Sequence, residues 1–300
     1  MKMALILHEF SFNAMGSPCE LKIYCPSRQA GAYVADKVIE DVQRIEAKYS
    51  RYKDDSVLSI INVAAECGKA IDVDNETLAL LNYAETCYQQ SNGLFDITSG
   101  VLRKAWSFKE QITPKQGDIN KILKSVGWRK VKIKGHSVQF TVTGMQLDFG
   151  GIGKEYAVDR ASAICQQQGV KQGLVNLGGD VKIIGPHLDG SPWVIGIAHP
   201  RLKGKVLTRL KVFSGAVASS GDYQRCIVID GKRYSHVLNP KTGWPVSELA
   251  SVTVIAEQCV IAGSACTIAM LMEKPGKKWL KNLGLKYVWV DKEGQVRSHY

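Results

Sequence analysis

The sequence predicts an α+β fold in which mixed and antiparallel sheets pack against helices. Two kinds of pattern predict it: apolar residues recurring at helical spacing, and alternating β runs separated by tight-turn residues. A third observation sets the scale. Three hundred residues with 45% hydrophobic content can bury a large core. No Pro/Gly/Ser linker, low-complexity run or internal repeat divides them. Residues 1–300 therefore read as a single folded unit.

The elements follow in chain order. Ala30, Val34, Val38, Val42 and Ile45 place a helix over residues 28–49, and Leu78, Leu81, Ala84 and Tyr88 place another that stops near Gly93. KVKIKGHSVQFTV predicts a hairpin turning at Gly135-His136. In LDFGGIGKEYAVDRASAIC, residues 147–165, a short apolar strand enters a double-glycine turn, then a lysine, then an amphipathic helix. LVNLGGDVKIIG holds two apolar strands interrupted at Gly178-Gly179, the mark of a bulge or a close backbone approach. Asp230-Gly231, between two alternating runs, is the strongest short hairpin signal in the chain. After residue 256 come a helical run rich in Ala, Cys and Met, a short helix opened by Pro275 and closed by Gly284, and a hairpin around Asp291 to Gly294.

Composition bounds the function. The net charge of +11 suits small anions or an acidic partner, but the basic residues are scattered, so nucleic acid is not an expected ligand. Only five consecutive apolar residues precede His8, too few for a signal core or a membrane span, and neither export nor a membrane location is expected. The eight cysteines form no C-x-x-C pair, and several sit in apolar runs as small hydrophobes, which points to the cytoplasm.

The glycine turn has the makings of an anion site. Gly150, Gly151 and Gly153 leave room for a phosphate, the helix opening behind them supplies N–H groups and a dipole, and Lys154 adds a charge at the rim. It is not a Walker A loop, because Asp148 stands at the first glycine and Glu155 follows the lysine; nor is it a dinucleotide fingerprint, because Tyr156 replaces the third glycine. On spacing alone, phosphate binding and a plain structural turn both remain open. Asn176 to Asp180, Ser219 to Tyr223, and His236 followed by Asn239 to Gly243 are further polar clusters that favour a cleft. His236 shares a strand face with Tyr234 and Leu238, a pattern that also fits a core histidine.

Taken in order, FNAMGS, YSRYKDDSVLSIIN, GLFDITSG, LDFGGIGKEYAVD, VNLGGD, ASSGDY, HVLNPKTGWPV and SVTVIA closely resemble the ApbE-type flavin transferases, the FAD:protein FMN transferase family. The resemblance covers nearly the whole chain. It implies a T-fold-like architecture with a flavin cleft, in which FAD lies with its pyrophosphate near the glycine turn beside one magnesium ion. FMN would pass from FAD to a Thr or Ser hydroxyl of an acceptor flavoprotein, releasing AMP. Matching positions place Met15, Tyr52, Leu94, Phe95, Asp96, Gly150, Tyr156 and Val237 around FAD. His236 and Asp222 are the candidates for deprotonating the acceptor, since imidazole as a residue type changes protonation near neutral pH. Lys154 would offset pyrophosphate charge.

The chain departs from the family pattern at its metal site. A carbonyl from Gly153 and the hydroxyl of Thr267 are kept, but Gly263 holds the place of a metal-binding aspartate, and Glu155 stands where glycine is common. The expectation is that Glu155 replaces the lost carboxylate. Ser17, Ser219, Ile97 and Asn239 are smaller departures. Three readings follow: a transferase with a rearranged metal site, a non-catalytic flavin carrier, or a magnesium-dependent FAD pyrophosphatase.

Overall fold

The computed structural model describes residues 4–106, 112–223, 226–229 and 231–300. Strands β1 (Ile6–Ala14) and β2 (Ser17–Cys25) form the first hairpin across a Met15-Gly16 turn with φ of 53° and 67°. That left-handed pair matches the strand twist; glycine adopts it freely, whereas Met15 is held there by the hairpin. Ser27 caps α1 (Arg28–Tyr49), whose buried residues include the expected stripe Val34, Val38, Val42 and Ile45. Next come α2 (Val57–Glu66), capped by Ser56, a short β3 (Ile71–Asp72), and α3 (Asn75–Gln90), capped by Asp74. A 3-10 helix (Ile97–Lys104) and α4 (Gln116–Leu123) lead into the β4 (Val131–Lys134) and β5 (Ser137–Phe140) hairpin at Gly135-His136.

The glycine turn opens α5 (Gly153–Gln167). Strands β6 (Gly173–Leu177) and β7 (Asp180–Gly185) follow, then β8 (Trp193–Ala198), β9 (Val206–Val212) and β10 (Gly215–Gly221). A separate hairpin, β11 (Cys226–Ile229) with β12 (Lys232–Ser235), precedes β13 (Leu249–Ala256). The chain finishes with α6 (Cys259–Met272), α7 (Lys274–Asn282), β14 (Lys286–Asp291) and β15 (Val296–His299).

An eight-stranded antiparallel sheet of order β1-β2-β6-β7-β10-β13-β14-β15 organises these parts. Helices α1, α5 and α6 cover one face and enclose the main core. The β8–β9 hairpin covers part of the other, where Trp193, Ile197, Leu210 and Val212 meet Leu174, Val181 and Ile183. A third cluster joins Val101, Leu102 and Trp106 of the 3-10 helix region to Ile227 and Leu238. It anchors the β11–β12 hairpin beside the 3-10 helix.

Two local expectations are corrected. Leu147 to Phe149 forms no strand and joins no sheet; the Asn62 side chain donates to Leu147 O at 3.1 Å and accepts from Leu147 N at 2.7 Å, satisfying the Leu147 backbone without a partner strand. Gly178-Gly179 is a hairpin turn rather than a bulge, with Leu177 paired to Asp180; the close approach expected there is present, since a Cβ at Gly178 would lie 2.7 Å from Ser17 Cβ and Gly178 N donates to Pro18 O at 3.1 Å. The β11–β12 pairing agrees with the expected hairpin, although Asp230 itself lies outside the described residues. No helix among the described residues is long and apolar enough to cross a membrane.

An ionic knot ties α1, α3 and α5 together. Glu76 accepts from both Arg44 guanidinium nitrogens at 2.8 Å, from Lys48 at 2.7 Å and from the Tyr156 hydroxyl at 2.8 Å. Hydrogen bonding from Arg44 leads the effects that hold its carboxyl far below the usual range, against a smaller opposing effect of burial. A depressed folded-state pKa gives stability that is present above the unfolded value, ~4.3, and lost as pH falls below it. Urea midpoints should therefore drop steeply under about pH 4, and Glu76→Gln should flatten that drop.

Candidate active site

The glycine turn is the floor of a cleft. Gly150 and Gly151 meet one wall made by Leu94 to Ile97 and the first turn of the 3-10 helix, and a second wall made by Ser220, His236, Val237 and Leu238. Thr267 and Leu271 of α6 close one end. Each side is positioned by a different element, so the cleft exists only once the sheet, the helices and the β11–β12 hairpin have assembled.

Asp96 organises the first wall. Its Oδ1 accepts from the Thr98 backbone N–H and hydroxyl at 2.8 and 2.6 Å, and its Oδ2 accepts from Trp128 N at 2.9 Å. Burial raises its pKa, against the lowering effect of those bonds. Phe95 packs against the floor; a side chain at Gly151 would bring its Cβ within 3.1 Å of the ring atoms Cε2 and Cζ. His236 and Val237 emerge from the return of the β11–β12 hairpin, where Ser235 Oγ accepts from Val237 N at 3.1 Å.

The carboxylate chemistry sits behind Gly151. Glu155, in the first turn of α5, is buried, and its Oε2 has no hydrogen-bond partner among the described residues. Burial, reinforced by the charge of Asp180, pushes its pKa up to about 7. Its side chain occupies the space above Gly263 of α6; a Cβ there would stand 2.4 Å from Glu155 Cγ and 2.8 Å from Oε1. Glycine at 263 is what lets this carboxylate enter. Thr267, one turn further along α6, faces the cleft. Lys154 pairs with buried Asp180 at 2.7 Å, and Asp159 accepts from Cys259 N and Val260 N at 2.8 and 2.9 Å, capping α6 from α5. Among the described residues, no group of three or more His, Cys, Asp or Glu side chains is placed to hold a metal ion.

Other expected residues lie outside this lining. Met15 is at the β1–β2 turn, beside a separate groove bordered by Gly16, Ser17, Gly178 and Gly179. Tyr156 points to Glu76 on the far side of α5, because its hydroxyl completes the ionic knot. Tyr52 is exposed at the rim, with the Arg51 guanidinium 4.7 Å from its ring centroid. Asp222 is held by Arg201, whose two terminal nitrogens donate to its two oxygens at 2.5 and 2.9 Å. Gly153 opens α5, its N–H given to Phe149 O at 2.7 Å. Arg201→Ala would leave the Asp222 carboxylate, only 9% exposed, without its partner. A loss of about 3 kcal/mol or more in urea denaturation is expected.

The residues missed in the sequence are Arg51, Arg103, Asp148 and Arg201. Asp148 Oδ2 lies 2.6 Å from Arg51 Nη1 and 3.1 Å from Arg103 Nη2. Burial works to raise its pKa, but the two guanidinium charges more than offset this and hold the carboxyl below its ordinary value. Neither arginine stands in a recognisable spacing, so only the folded chain brings them together.

A family model described as the ApbE family matches residues 15–289. The FAD:protein FMN transferase of Klebsiella pneumoniae (strain 342) is 32% identical over 257 residues, covering 83% of this chain and 78% of its own. Among solved structures, the ApbE protein of Thermotoga maritima MSB8 superimposes with a TM-score of 0.89 at 34% identity over 98% of this chain and 97% of its own. The Pseudomonas stutzeri flavinyl transferase ApbE gives 0.87 at 28% identity over 99% and 96%. With the motif order, the fold and the cleft in agreement, the chain belongs to the ApbE family.

Proposed function

We propose that this protein is an FAD:protein FMN transferase. It takes FAD in the cleft, joins FMN to a Thr or Ser hydroxyl of an acceptor flavoprotein, and releases AMP. The observation that carries this reading is the convergence in one cleft of a glycine floor, an aromatic wall, His236 and Thr267, with a buried carboxylate directly behind. The acceptor oxygen bonds to the FMN phosphorus, the bond from that phosphorus to the AMP oxygen breaks, and the hydroxyl proton passes to His236. Asp222 does not take it, because both its oxygens are already engaged by Arg201. It fixes the end of β10 next to Ser220, and so holds that wall in place.

The residues fit a magnesium ion. Glu155 offers a buried oxygen without a partner among the described residues, Gly263 leaves the space around it, and Thr267 offers a hydroxyl at the cleft. A hard divalent cation, when bound, neutralises pyrophosphate charge. The rest is positioning: the glycine floor admits the phosphates closely, and the walls hold reactants in line. Six buried reduced thiols support a reducing compartment, the cytoplasm.

The test is incubation with FAD and magnesium, with and without a threonine-bearing acceptor flavoprotein, followed by in-gel flavin fluorescence and AMP quantification. A fluorescent acceptor with matching AMP is expected. AMP without labelling would make the protein a pyrophosphatase, and FAD binding without AMP would make it a carrier.

A further inference from the structure

Between Ser191 and Ser214 the chain carries Arg201, Lys203, Lys205, Arg209 and Lys211 and no Asp or Glu. This stretch is the β8–β9 hairpin. Its inner face is spent on the sheet through Trp193, Ile197, Leu210 and Val212, so strand alternation turns Val194, Arg209 and Lys211 outward, with Val194 opposite Lys211 and Gly196 opposite Arg209. Val206 lies over Gly196 on the same outer face, its methyl carbons 3.5 and 3.6 Å from where a Cβ would stand. The tip is an ordered turn: His199 N donates to Lys205 O at 2.8 Å, and His199 Nδ1 accepts from Arg201 N and Leu202 N, both at 3.1 Å. Val194, Leu202, Val206 and Phe213 are about half exposed, and among the described residues none of Lys203, Lys205, Arg209 and Lys211 is paired with a carboxylate. Arg201 alone is engaged, and it bonds Asp222, two residues beyond the Ser220 that lines the cleft. The hairpin tip is thereby tied to the cleft wall.

We propose that the tip and outer face of the β8–β9 hairpin are the docking surface for the acceptor flavoprotein, and that the acceptor meets them with an acidic face. This rests on the transferase reading above, in which a protein must bring a hydroxyl into the cleft and so must cover surface beside it. Exposed aliphatic side chains rimmed by uncompensated cations have the composition of a protein interface, with an apolar centre and a charged border. The charge selects the partner. A second copy of this chain, itself at +11, would set like charges against each other across a two-fold contact, whereas an acidic acceptor is drawn in and oriented. Because Arg201 fixes the tip to the wall, an acceptor held there lies next to the cleft it must enter.

The test measures initial rates of flavin labelling against the concentration of a threonine-bearing acceptor flavoprotein of net negative charge, with FAD affinity taken in parallel by fluorescence titration. The variants are Lys203→Glu with Lys205→Glu, Arg209→Glu with Lys211→Glu, and the neutral pair Lys203→Gln with Lys205→Gln. Each charge-reversed pair should raise the acceptor KM roughly 10-fold or more, with kcat and FAD affinity within about twofold of wild type, and the neutral pair should fall between. Raising the salt from about 0.05 to about 0.5 M should raise the wild-type KM and change that of the reversed pairs much less. An unchanged KM in all three variants would overturn the inference while leaving the transferase reading intact, and binding of phosphatidylserine vesicles lost in those same variants would then assign the face to a membrane surface. A loss of FAD affinity in step with the KM change would make the hairpin a structural element and also overturn it. A wild-type protein that labels no acceptor would overturn both the inference and the reading.

Discussion

Replacing His236 with alanine should lower FMN transfer roughly 10²- to 10⁴-fold, the usual contribution of a positioned acid–base group, while FAD affinity changes little. The expectation follows from placement. His236 stands on the wall facing the glycine floor, at the end of a hairpin anchored by its own small core. Asp222, the other sequence candidate, is locked to Arg201. Single-turnover labelling of the acceptor, with FAD affinity measured in parallel, checks the result. A parallel collapse of FAD binding would make His236 a ligand-orienting residue instead.

The second large effect concerns Glu155 and Gly263 as a pair. Glu155→Gln should reduce magnesium affinity by roughly tenfold or more, read directly by calorimetry. Gly263→Asp alone should not help, because its Cβ would collide with Glu155 Cγ at 2.4 Å; overpacking of this kind costs about 1–3 kcal/mol. The exchange Glu155→Gly with Gly263→Asp removes the collision and returns a carboxylate from α6. It should recover part of the metal affinity, a non-additive result that a double-mutant cycle measures. If Glu155→Gln binds magnesium as the wild type does, Glu155 serves only as a buried helix-opening residue.

Periodic and turn-coded features were legible before folding. The stripe of α1, the Gly135-His136 hairpin, the Pro275-to-Gly284 helix and the final hairpin follow from local rules, and the structure reproduces them. Leu147 to Phe149 misled because an apolar run can be satisfied by one asparagine side chain as well as by a strand. At Gly178-Gly179 the close approach was legible, to Ser17 and Pro18, but not the hairpin turn, because a turn and a bulge use the same residues. In the site, residues inside short glycine-flanked motifs came together, as Leu94, Phe95, Gly150, His236 and Thr267 show. Long side chains were harder to place. Tyr156 turned to an ion pair on the opposite helix face, and the Arg51, Arg103 and Asp148 unit joins three distant segments whose meeting no spacing encodes.

The central claim is that this cleft passes FMN from FAD to a protein hydroxyl. The most direct measurement is the ratio of AMP released to FMN covalently bound to the acceptor threonine, taken in one magnesium-containing reaction by chromatography and intact-protein mass. One AMP for each attached FMN is the predicted result, whereas AMP release with no mass gain on the acceptor, or no AMP from a protein saturated with FAD, would contradict it.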